Sequence, residues 1–249
     1  AGPGTQPALE FLVDAQGRAQ PVDRLLLLRS ARWLVSHADR QHQLQQHDAL
    51  SAALTRGRVQ FIDSDGQHHL LAATPRGAVG LGWVFWLLST LALLLYLVAM
   101  VVLMARPGRR NTLYTLMALA QAGNLLLLAV LSAPAIGWSD GFMRWEHDGR
   151  TFFDLLTAGA VVHVTNLHPR RLPHAPHRAA LAWALLAGVL AIVVWQREPS
   201  SWWWTQCALI IASLTAVAQL AWMQRREPHP LAVQLRRFAL LGFATLTVL

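Results

Sequence analysis

The sequence predicts an α-helical polytopic membrane bundle of six hydrophobic stretches, the last one truncated, joined to a small N-terminal α/β domain. Three observations carry this. Only 14% of the 249 residues are charged and 54% are hydrophobic, whereas soluble domains carry about 25% charge. From Val79 onward, apolar stretches of near-spanning length recur. Arginines gather at alternate ends of those stretches.

Residues 1–77 contain no spanning stretch and read as a separate domain. Leu9 to Val13 alternates as a short strand does, with a turn at Gln16-Gly17. Leu25 to Val35 is dense in leucine but interrupted by Arg29 and Arg32. It is too short and too charged to span, so it predicts a buried helix. Asp48 to Leu54 spaces Ala49, Leu50, Ala53 and Leu54 at helical intervals, with Gly57 as a stop. The strands Val59-Gln60-Phe61-Ile62 and His68-His69-Leu70-Leu71 flank Asp63-Ser64-Asp65-Gly66. Asp-Gly between extended segments marks a hairpin, because the turn needs positive φ and glycine supplies it.

The spans follow. Val79 to Met104 is an uncharged run of 26 residues, closed by Arg106, Arg109 and Arg110. Thr112–Ala133 is the second and Thr151–Leu167 a shorter third. Ala179–Trp195 is the fourth and Trp204–Met223 the fifth, and Phe238–Leu249 begins a sixth. That last stretch is too short to cross, which predicts a longer polypeptide continuing past Leu249. Export of an outer domain also predicts a signal or helix upstream of Ala1.

Arginine sets the orientation. Ten arginines, among them Arg109, Arg110, Arg170 and Arg171, fall on one side, against three on the opposite short loops. The positive-inside rule places the Arg109 side in the cytoplasm of a bacterial inner membrane and the N-terminal domain outside. Trp83, Trp86, Trp195, Trp202, Trp203 and Trp204 fall at the outer boundaries, with Trp183 and Trp222 near the inner ones, as an aromatic belt does. The outer loop Pro134–Arg150, with Asp140, Glu146 and Asp148, is expected to pack on the soluble domain.

The formal charge of +8 comes from arginine alone, since the chain has no lysine. Topology accounts for most of it, and no nucleic-acid-reading motif accompanies it, so the lipid bilayer and not nucleic acid is the expected partner. Cys207 is the only cysteine, which excludes an internal disulfide and any CxxC motif. No metal or other cofactor is expected. His68 and His69 point to opposite faces of a strand. His163 lacks a second mid-membrane histidine that haem would need. HExxH, Walker A and GxSxG patterns are absent. No catalytic residues are assigned.

Polar residues within membrane helices are where function concentrates. Gln121 and Asn124 lie three apart on one face of the second span, His163 and Asn166 in the inner half of the third, and Gln219 in the inner half of the fifth. These five form a candidate intramembrane polar switch, with ordinary interhelical hydrogen bonding as the competing reading. A transporter, channel or assembly component is the alternative function. No mid-membrane carboxylate, broken helix pair or internal repeat supports ion-coupled transport.

The helix, glycine, strand, Asp-Gly turn and strand ending in Thr74-Pro75-Arg76 are similar to the C-terminal half of a PDZ domain. Together with Gly82-Trp83-Val84-Phe85-Trp86-Leu87 and Asn166-Leu167-His168-Pro169-Arg170-Arg171, the architecture resembles the input region of bacterial membrane sensor histidine kinases. The nearest kind is the ComP-like sensors of the NarL/LuxR class. The resemblance implies signal transduction in a two-component system, a homodimer, an unknown signal ligand or peptide, and a kinase effector in the same polypeptide beyond Leu249. His168 stands where those sensors usually carry an aromatic residue.

Overall fold

A computed structural model describes residues 9–13, 19–30, 34–63, 65–74, 77–133, 138–167, 171–196 and 201–226, with 233, 234, 237 and 240 singly. The chain divides into two compact units. Residues 1–87 and 128–147 form the first, and residues 88–127 and 148–249 the second.

In the first unit, strands β1 (Leu9–Val13), β2 (Ala19–Pro21), β3 (Arg58–Asp63) and β4 (His68–Ala72) form an antiparallel sheet in the order β2-β1-β3-β4. The hairpin is where the sequence puts it. Ile62 pairs with His68 across the turn, and Gly66 takes the positive φ of 75°. The expected turn at Gln16-Gly17 lies outside the described residues.

The helices of this unit differ from expectation. Among its described residues, Leu25–Val35 holds no α-helix. Leu25–Leu27 belong to a 3₁₀ turn, Arg24–Leu27, opened by Asp23, whose carboxylate accepts from Leu25 N at 2.7 Å. The long helix, α1 (His37–Thr55), begins eleven residues before the expected Asp48, capped by Ser36, whose hydroxyl accepts from Asp39 N. Its first half shows no apolar periodicity because the face it buries is polar. Gln43 and His47 both donate to the Leu28 carbonyl, at 2.6 and 3.1 Å, and Gln46 donates to Pro21 O at 2.8 Å. The two findings have one cause. A segment that is not helical leaves its carbonyls unpaired, and buried carbonyls must find donors. The α1 side chains supply them, while Leu26, Leu50, Ala53 and Val59 form the apolar core beside them.

Five long helices follow: α2 (Gly82–Ala105), α3 (Arg109–Ser132), α4 (Asp140–Leu167), α5 (Ala175–Gln196) and α6 (Ser201–Arg226). Among the described residues, four are long and apolar enough to cross a membrane, namely those built on α2, α3, α5 and α6. This is the make-up of a multi-pass membrane protein. The expected third span, Thr151–Leu167, is the second half of α4, and the expected loop up to Arg150 is largely its first half. The expected sixth span lies outside the described residues apart from Leu240.

In the second unit α4 is the packing centre. Ala160 and Val164 meet Leu113 of α3, with Trp183 of α5 against them, and Leu155 meets Leu186 of α5 and Leu209 of α6. Two glycines make close approach possible. A Cβ on Gly159 would lie 2.6 Å from the Trp183 ring, and one on Gly123 would lie 2.5 Å from Phe153. Such contacts leave no room for a methyl group. Small residues at these crossings let membrane helices pack on van der Waals contact, where no hydrophobic effect drives association. By contrast α2 is largely exposed, with only Ala92 and Ala99 buried.

His47 makes the first unit pH-sensitive. Burial lowers its pKa below the usual 6.5, and its hydrogen bond to Leu28 O opposes this only in part. Its other ring nitrogen, Nδ1, is buried without a partner, so protonation there gains nothing. As pH falls, the unfolded chain takes the proton first. The neutral-histidine contribution is complete above about pH 6.5 and is lost as pH drops through the lower native value. Hydrogen exchange of α1, corrected for its intrinsic pH dependence, should show less protection at about pH 5.5 than at about pH 7.5. In His47→Gln that difference should shrink.

Candidate functional site

The polar chemistry of the described residues gathers along α4, beginning at its amino end in the first unit. Ser139 caps the helix through Phe142 N, and Asp48 of α1 accepts from Asp140 N at 3.3 Å. The preceding helix ends on the opposite charge. Arg29 donates to the carbonyls of Leu131 and Ser132, at 3.3 and 2.9 Å, at the carboxyl end of α3. A carboxylate at a helix amino end and a guanidinium at a carboxyl end are each what the helix dipole favours. Between them Glu146 is completely buried, its two oxygens sharing the Ser30 hydroxyl at 3.3 and 3.2 Å. Of the stretch 134–150 expected to pack on the N-terminal domain, Asp140 and Glu146 are held by Asp48 and Ser30, while 134–137 lie outside the described residues; with Arg29 on the end of α3, these side chains form a clamp.

The same helix continues into the second unit, where its polar side chains reach three neighbours. Asp154 accepts from Asn124 at 2.9 Å and Thr157 from Gln121 at 3.0 Å, both on α3. His163 Nδ1 accepts from Trp183 Nε1 of α5 at 3.2 Å. Thr165 donates to Gln219 of α6 at 2.5 Å. Asn166, fully buried, donates to Val162 O within α4. The five residues singled out from the sequence therefore do not meet as one layer. Four of them make separate links between α4 and its neighbours, Asn166 bonds only within α4, and the Oδ1 atoms of Asn124 and Asn166 remain buried without partners.

The boundary residues are placed as follows. Trp83, Trp86, Trp203 and Trp204 are exposed, and Trp202 stacks edge-on against Trp203 at 4.8 Å. Arg109, Arg110 and Arg171 line, with Arg106, a concavity of about 430 Å³ at the amino end of α3. Arg170 lies outside the described residues. Trp183 packs inside the bundle. It is half-buried, bonded to His163 and seated over Gly159.

Sequence reasoning missed Arg29, Ser30, Asp48, Thr157 and Thr165 as contributors, while Glu146 was placed in the stretch expected to pack on the N-terminal domain. The hydroxyls carried no signal, since serine and threonine are common in membrane helices. Among the described residues, no three histidine, cysteine or carboxylate groups gather as a metal site would need. No family model, no curated protein and no solved structure matches the chain.

The link between α4 and α6 can be measured directly. Thr165→Val and Gln219→Leu, singly and together, should show a coupling of about 1 kcal/mol in unfolding of the purified chain. Strictly additive losses would contradict the bond.

Proposed function

We propose that this chain is the sensory input module of a bacterial membrane sensor, of the two-component histidine kinase kind. In this reading the N-terminal domain, PDZ-like in its second half, lies outside the inner membrane, and the effector follows Leu249 in the same polypeptide. The observation that carries it is the clamp. Three side chains of the N-terminal domain hold the carboxyl end of α3 and the amino end of α4.

A stimulus that moves the domain then acts on α4 as well as on α2, the covalent continuation of the domain. The links at Asn124, Gln121, Trp183 and Gln219 give α4 one set of hydrogen bonds, and the unpartnered amide oxygens of Asn124 and Asn166 leave acceptors for another. Buried unpaired acceptors are costly, so a second arrangement that satisfies them competes closely with the first. An input favouring one arrangement shifts the population between the two. Homodimerisation would supply the partner on which the kinase acts.

The encoded sequence after Leu249 decides the class. About 200 residues holding a dimerising helix and an ATP-binding domain fit the proposal. Further membrane helices ending the protein contradict it and favour a transporter or assembly component. In the full-length protein, His163→Leu should change basal autophosphorylation with normal membrane insertion. Unchanged output would remove His163 from the switch.

A further inference from the structure

Between α5 and α6, within the second unit, runs an apolar groove of about 690 Å³, inside the range of small-ligand sites. Its lining includes the small residues Ala182, Ala208 and Ala212, which recess the wall between the two helices. Along α6 it extends from Trp204 to Trp222, a rise of about 27 Å at 1.5 Å per residue. That is close to the roughly 30 Å hydrocarbon thickness of a bilayer.

Its chemistry is asymmetric. Among the described residues, the lining holds one charged residue, Arg178, at the Trp222 end, and no carboxylate. The Arg178 guanidinium lies 5.3 Å from the centroid of the Trp222 ring. Stacking over an aromatic face fixes the guanidinium plane while leaving its N–H edge to bind an anion, and that fork matches one carboxylate bidentately. We infer that the α5–α6 groove binds a long-chain fatty acid, its carboxylate on Arg178 and its single acyl chain along α6 toward Trp204. Charge complementarity calls for an anionic headgroup, and about 690 Å³ spread along the groove suits a single chain. Gln219 lines the same groove and is bonded to Thr165 of α4, so an occupant touches a residue already linked to the packing centre. The binding itself does not depend on the signalling reading.

Cys207, the only cysteine, is exposed and lines the groove, which makes it a native reporter. The full chain in nanodiscs of neutral phosphatidylcholine is alkylated with N-ethylmaleimide and followed by intact mass. Oleate should slow alkylation of Cys207 saturably, whereas oleyl alcohol at the same concentration should not. Arg178→Gln should raise the half-protecting oleate concentration about tenfold, each rate being taken relative to the same variant without oleate, and Arg178→Lys should fall between. Absent protection by oleate overturns the inference. So does equal protection by the alcohol, a comparison that needs no variant. Equal protection of Arg178→Gln overturns the carboxylate contact. Any of these results leaves the proposed sensor role standing, since none reads signalling.

Discussion

Helix ends are where this molecule solves its hardest electrostatic problem. The last carbonyls of α3 and the first amides of α4 have no partners within their own helices. Residues from the first fifty of the chain supply partners, Arg29 for the carbonyls and Asp48 for the Asp140 amide. Each brings the sign of charge that the terminus favours. The fully buried Glu146, bonded to Ser30, adds a constraint of a different kind. A buried acceptor that loses its hydrogen-bond donor costs about 1–3 kcal/mol. The carboxyl end of α3 and the amino end of α4 are thereby each tied to the N-terminal domain.

From that tie α4 runs on as one continuous helix of 28 residues. It is the least lipid-like of the five long helices and also the best enclosed. Those two properties belong together. Glu146, Arg150, Thr165 and Asn166 are tolerated because they are buried, and the neighbours that bury them also offer hydrogen bonds or close contact. Gly159 and Gly123 complete the fit by letting large aromatic rings lie where a side chain would stand. A polar helix enclosed by apolar ones finds most of its side-chain hydrogen bonds inside the protein, and the Asn166 Oδ1 is an acceptor left over.

What the sequence made legible was everything tied to composition. The spans of α2, α3, α5 and α6 follow from uninterrupted apolar length, and the β3–β4 hairpin from an Asp-Gly turn. What it hid was everything tied to polar burial. α1 buries Gln43, Gln46 and His47, so its first half carries no hydrophobic periodicity to find. The first half of α4 holds Arg144, Glu146, Asp148 and Arg150 and so reads as a loop. Four of the five polar residues picked out in the spans make interhelical bonds, but their partners Thr157, Thr165 and Trp183 were not legible as such. A threonine or tryptophan carries no mark of the helix it will face. Emphasis accordingly moves from Val79–Met104, prominent for length alone, to α4, which is marked by what it is bonded to.

In the proposed relay, α4 carries a disturbance from the clamp to its hydrogen-bonded half. Hydrogen–deuterium exchange in Arg29→Ala/Asp48→Asn tests this on the folded, membrane-inserted chain. Faster exchange is expected both at 140–147 and at 155–167. Faster exchange confined to 128–147, with 155–167 unchanged, would contradict it.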